Sequence, residues 1–209
     1  MAFQTKQDHV AEILRERIIS GIYARGEKLK QADIAAELGV SITPVREALQ
    51  MLEAEGYVKG LAHKGVLVPE LVDVCSKEIL DLRLILEKEL TQHAIRNMTK
   101  ADLITIQQIQ KQLNEAIQQN DINAVRTGNY RFHFKLYELA QCSMTLKFVR
   151  VLWAQYPFTS QDKTSSRPDA MRIEHQKILD ELAAGNEAGA VQAMLDHIKS
   201  GWQQLNLDQ

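Results

Sequence analysis

From Ser76 to about Leu205 the apolar residues recur three and four positions apart, and no segment alternates apolar with polar. Such a stretch has no pleated face to bury, so its apolar stripes must pack helix against helix. Punctuation divides it into six helices: Ser76 to Asn97, Thr99 to Gln119, Asp121 to about Cys142, Ser143 to about Tyr156, Asp169 to Ala184, and Glu187 to about Leu205. Thr99 and Asp121 suit N-cap positions, and Gly185-Asn186 makes a hairpin of the last two helices. Pro157 to Pro168 is polar and rich in Ser and Thr, which reads as a loop.

The first 68 residues are organised differently. Val10, Ile13, Leu14, Ile18 and Ile19 mark a helix ending at Ser20-Gly21, and a second runs from Gln31 to Leu38, where Gly39 stops it. A third opens at Thr43-Pro44, with Thr43 as cap and Pro44 at the first helical position. It buries Val45, Ala48, Leu49 and Leu52 and ends at Gly56. Tyr57-Val58-Lys59 and Val66-Leu67-Val68 read as two short strands. Short helices about a glycine turn, followed by a hairpin, make a winged helix-turn-helix. The expected fold is mainly α: a winged helix-turn-helix over residues 1–68, a linker over 69–75, and an all-helical bundle over 76–209.

Charge bears on what such a chain can bind. The net charge is -2, and residues 1–68 carry nine Lys+Arg against nine Asp+Glu. Any binding to DNA must rest on where a few cations stand rather than on bulk charge. No apolar run reaches the roughly 18 residues of a membrane span, and the N-terminus lacks the apolar core of a signal peptide. The expected location is the cytoplasm, with no membrane partner. Cys75 and Cys142 lack CxxC spacing and read as structural.

The third helix is the candidate DNA reader. Ser41 and Thr43 place hydroxyls at its N-terminus, where free N–H groups and the helix dipole favour phosphate. Arg46 stands one turn in, within reach of guanine in the major groove. His63 and Lys64 sit at the wing tip, suited to the minor groove or its phosphates. The string Ser41-Ile42-Thr43-Pro44-Val45-Arg46-Glu47-Ala48-Leu49 closely resembles the recognition segment of the GntR family of bacterial regulators, which commonly reads Ser-Arg-Thr-Pro-Val-Arg-Glu-Ala-Leu. Gly21, Gly26 to Leu29, Asp33-Ile34-Ala35, Glu55-Gly56 and Lys64-Gly65 match as well. The resemblance implies a homodimer on a pseudo-palindromic double-stranded DNA operator, and it adds Gly65 to the wing. Ile42 stands where the family usually has a DNA-contacting arginine, so the operator sequence does not carry over.

Polar residues on apolar stripes mark a second site. Asn129 and His133 lie four apart on a stripe with Val125, Phe132 and Leu136; His175 interrupts Met171, Ile178 and Leu182; His197 follows Ala190 and Met194. His175 and His197 are equidistant from Asn186, so a hairpin there brings them level. Three imidazoles and an oxygen donor suit zinc, nickel or manganese; hydrogen-bonded core histidines are the plainer alternative. The arrangement resembles the FCD domain of the FadR-type branch, whose members bind metal through Asp or Asn, a His four later, and two further His on the last two helices. Asn129, His133, His175 and His197 fall on those positions. The six helices resemble the VanR-like subgroup. Arg83, on the stripe of Ile79, Leu82, Leu86 and Leu90, is either paired with Glu87 or a clamp for a carboxylate.

These readings converge on a non-enzymatic, ligand-responsive transcription regulator, acting as a repressor and sensing a small organic acid at a divalent metal. The alternatives are a metal-free ligand pocket and a His-metal hydrolase. The hydrolase would need a general base, and no carboxylate shares helical register with the imidazoles; Glu174 points about 100° from His175 along its own helix.

Overall fold

The computed structural model describes residues 5–61, 65–71, 77–156 and 167–206, excepting the side chains of 204–206. The chain divides into two compact units, Met1–Val72 and Asp73–Gln209. The architecture is mainly helical with one small antiparallel sheet, a winged helix-turn-helix followed by a helical domain. Among the described residues no helix is long and apolar enough to cross a membrane.

In the first unit α1 (Lys6–Ser20), α2 (Gln31–Leu38) and α3 (Ile42–Glu55) bury Leu14, Ile18, Ile34, Val45, Ala48, Leu49 and Leu52. Gly21, Gly39 and Gly56 end these helices in the left-handed conformation. Arg15 ties α1 to α3 by a bidentate pair with Glu55, at 2.6 and 2.9 Å. The third helix starts earlier than its sequence suggests. Ser41 is its N-cap residue, Thr43 lies inside the helix, and Pro44 is the third helical residue. Proline is tolerated there because first-turn N–H groups lack an intrahelical acceptor.

The sheet contains β1 (Lys28–Leu29), β2 (Lys59–Leu61) and β3 (Gly65–Leu67) in the order β1-β3-β2. The strand expected at Tyr57-Val58-Lys59 begins only at Lys59. The N–H of Tyr57 is taken by the Leu52 carbonyl at the end of α3, and its side chain and that of Val58 are buried in the helical core. Strand β1 was not foreseen; two residues are too short to carry a pattern.

Gly65 opens β3 at φ +88, where a Cβ would stand 2.4 Å from the Leu29 carbonyl oxygen. Gly65→Ala is expected to destabilise the winged unit by about 2 kcal/mol or more, read by chemical unfolding. Gly39→Ala, also at positive φ but with no atom within 4 Å of the new Cβ, should cost only about 1 kcal/mol.

The second unit contains, among the described residues, α4 (Lys77–Asn97), α5 (Lys100–Gln118), α6 (Ile122–Glu138), α7 (Ser143–Ala154), α8 (Arg167–Ala183) and α9 (Glu187–Asn206). Thr99 forms a capping box with Asp102, and Asp121 accepts from the Ala124 N–H. Helix α6 is enclosed on several sides: Tyr130, Phe132, His133, Phe134, Leu136 and Tyr137 are all buried. It ends at Glu138 rather than near Cys142, where Asn97 donates to the freed carbonyls of Leu139 and Ala140. Helix α8 starts at Arg167, taking Arg167 and Pro168 out of the expected loop; residues 157–166 lie outside the described residues.

Candidate metal centre and nucleic-acid interface

Helix α3 divides its residues cleanly. Val45, Ala48, Leu49 and Leu52 face the core, while Ser41, Ile42, Thr43, Arg46 and Gln50 are exposed. The side chain of Ser41 makes no capping bond. The first turn thus presents hydroxyls and Arg46 to solvent. Gly65 stands at the base of the wing, and His63 and Lys64 lie outside the described residues.

In the second unit His133 on α6, His175 on α8 and His197 on α9 are buried together. The hairpin about Gly185 sets α8 against α9 and brings His175 Nε2 within 3.3 Å of His197 Nε2; His133 Nε2 lies 2.9 Å from the same atom. Three helices therefore aim three equivalent nitrogens at one point.

The outer nitrogens fix which atom faces inward. Tyr137 donates its hydroxyl proton to Glu87, so its oxygen accepts from His133 Nδ1 at 2.9 Å. Gln110 uses its amide nitrogen on Asn114, which leaves its oxygen 2.8 Å from His175 Nδ1. Glu174 Oε2 accepts from His197 Nδ1 at 2.7 Å, and Arg167 and Ser200 hold the same carboxylate. Burial raises the Glu174 carboxyl, but the His197 hydrogen bond and the Arg167 charge outweigh it and bring its pKa to about 2. All three Nδ1 atoms are donors, so all three Nε2 atoms carry lone pairs.

Burial also holds His133 and His175 well below the ordinary imidazole range, with neighbouring His197 acting in the same direction. His197 is lowered by burial as well, partly offset by Glu174. Neutral imidazoles whose lone pairs converge at 2.9 and 3.3 Å repel one another unless a cation lies among them. Nitrogens bound to one tetrahedral ion at about 2.0–2.1 Å lie roughly 3.3 Å apart, so the spacing suits a small divalent ion.

A cavity of about 290 Å³ opens beside the imidazoles, and Arg83, Asn129, His133, Arg167 and His197 are among its lining residues. Asn129 Oδ1 is buried with no hydrogen-bond partner among the described residues. A neutral buried oxygen left without a donor, on a residue that lines the same cavity as His133 and His197, is what an additional metal ligand would look like before binding. The donor set therefore fits a divalent transition ion. Arg83 forms the ion pair with Glu87 that is one of its two sequence readings, and it also lines the cavity. Its Nε donates to buried Glu87 at 2.6 Å, and its guanidinium, laid over Trp153 and Tyr156, lines the cavity. Leu82, expected beside it in the core, is exposed.

A carboxylate does reach the cluster from outside the helical register: Glu174, next to His175 on α8, accepts from His197 Nδ1 on α9. It binds the outer nitrogen and is locked to Arg167, which makes it an orienting group rather than a base directed at a bound ligand. Gln110, Tyr137 and Arg167 also escaped the sequence reading. Tyr137 alone left a signal, lying four residues after His133 on one face.

Residues 6–68 match the family described as bacterial regulatory proteins, gntR family, and residues 78–200 match the FCD domain. The chain is 31% identical to the Uxu operon regulator of Haemophilus influenzae, over 91% of this chain and 78% of that one. It is 27% identical to the Nta operon transcriptional regulator of Aminobacter aminovorans, over 90% and 88%. Among solved structures, E. coli McbR/YncC shares the fold with a TM-score of 0.80 at 22% identity, covering 98% of each chain. A transcriptional regulator from Rhodococcus sp. RHA1 gives 0.70 at 27% identity, covering 95% of this chain and 96% of that one.

Proposed function

The chain belongs to the GntR family of bacterial transcription regulators, with an FCD domain as its second unit, and on that premise we propose that it is a metal-dependent sensor of a small organic acid that represses its target genes in the cytoplasm. The observation that carries the sensing half is the convergence of three lone-pair nitrogens, each backed by an orienting partner, next to a cavity that His133, His197 and arginines line. His133, His175, His197 and Asn129 would hold zinc, nickel or manganese. When bound, the ion supplies a positive centre that a carboxylate can ligate. Arg83 then orients the acid through guanidinium nitrogens other than the Nε held by Glu87. On the DNA side, Ser41 and Thr43 would bond phosphate, Arg46 would read a base, and the wing carrying His63, Lys64 and Gly65 would reach the neighbouring groove.

The reading includes a homodimer. Leu82 and Ile85 on α4, with Met144, Phe148 and Val151 on the adjacent α7, are large apolar side chains left exposed. A second copy related by two-fold symmetry would cover this face and present two winged units to a pseudo-palindromic operator. Phe148→Asp is expected to shift the chain from dimer to monomer in sedimentation velocity; an unchanged dimer would place the interface elsewhere.

The test of the switch is a panel of hydroxy and dicarboxylic acids, malate and citrate among them, added to metal-loaded protein. At least one should raise the melting temperature and change affinity for a selected DNA duplex by about 5–150-fold. If the acids that stabilise the protein leave DNA affinity unchanged, the coupling is absent.

A further inference from the structure

Ile42 is the first residue of the reading helix and is half exposed, at 50%. Its sequence neighbours Ser41 and Thr43 are exposed and polar. Arg46 lies four residues on, on the same helical face, and is exposed too. A lone exposed isoleucine needs no explanation on an ordinary surface. On a face that enters a DNA groove it does, because it can satisfy neither a phosphate nor a hydrogen-bonding base edge. The only apolar group that base edges present in the major groove is the C5-methyl of thymine.

We infer that Ile42 is a specificity-determining residue that packs on a thymine methyl in the major groove. The inference rests on the operator reading above and adds a base to it. Four helical residues advance about 6 Å and one base step about 3.4 Å, so this thymine lies within about two base pairs of the base that Arg46 reads. The contact also rejects alternatives: cytosine at that position leaves its N4 amino group facing an apolar side chain that offers it no acceptor.

The experiment starts from duplexes recovered by selecting random-sequence DNA with the full-length chain. Each thymine of the recovered half-site is then replaced, one at a time, by deoxyuridine, which removes only the methyl. One replacement should weaken binding about fourfold, the worth of a buried methyl, and Ile42→Ala protein should not feel it. Substituting 5-methylcytosine for cytosine at that position should restore part of the affinity in the parent protein alone. If no uracil replacement matters, or if the loss is equal in Ile42→Ala, the inference is overturned while DNA binding stands. If selection enriches no sequence, the operator reading itself falls.

Discussion

His175→Ala protein is expected to purify without the divalent ion that the untagged parent should carry at about one per chain, read by elemental analysis. His133, His197 and Asn129 remain in the variant, and two imidazoles with one neutral amide oxygen are too weak a set to hold an ion against buffer and water. Losing a ligand bound at 100 to 1,000 times its Kd removes about 3–4 kcal/mol, and a unit of this size should melt on the order of 10 °C lower. The variant also loses packing, because His175 stacks on Phe132 with ring centroids 3.9 Å apart. Chelator separates the two effects: it should lower the melting temperature of the parent and leave that of the variant unchanged. Glu174→Gln keeps the shape of the orienting group but removes its charge, and should weaken metal binding about 10–100-fold without emptying the site. His93→Ala, which removes an exposed imidazole, should change nothing. A parent chain that comes without metal, and whose melting ignores both zinc and chelator, would leave the imidazoles as hydrogen-bonding groups of a metal-free pocket.

The histidine centre was legible because two of its members are symmetric about Gly185-Asn186. In an antiparallel hairpin, equal distance from the turn means equal height, so the 22-residue separation of His175 and His197 translates directly into a contact. His133 was legible as a polar interruption of an apolar stripe. Its partners were not, because periodicity describes one helix at a time. Glu174 lies off the His175 face of α8, and only the packing of α8 on α9 brings its carboxylate to His197. Arg167 and Pro168 close a polar, Ser- and Thr-rich stretch that reads as loop to its end, yet both belong to the first turn of α8, where proline costs no hydrogen bond. The winged unit was legible through its glycine stops at Gly21, Gly39 and Gly56, each of which falls where a helix ends in the left-handed conformation. The start of α3 was misplaced because two hydroxyl residues, Ser41 and Thr43, compete for the cap, and neither a side-chain bond nor a neighbouring carboxylate decides between them.

Arg46→Ala is expected to abolish selective DNA binding while leaving the fold intact. Arg46 is exposed and its neighbours Val45 and Ala48 carry the packing, so truncation removes no core contact. A bidentate arginine–guanine contact is worth about 1–3 kcal/mol, roughly ten- to hundredfold in affinity, and a symmetric dimer makes it twice. The combined loss should be on the order of a thousandfold for the preferred duplex and much smaller for random DNA. That difference separates base reading from a phosphate contact. If Arg46 met only phosphate, its removal would weaken binding to every sequence alike and lower the salt dependence by about one unit per subunit. Arg46→Lys sharpens the distinction. A lysine can neutralise a phosphate but cannot supply the planar pair of donors that matches guanine O6 and N7. The variant should therefore keep most of the random-DNA affinity and lose most of the selectivity. Full selectivity in Arg46→Lys would assign Arg46 to the DNA backbone and move base reading to other exposed residues of α3.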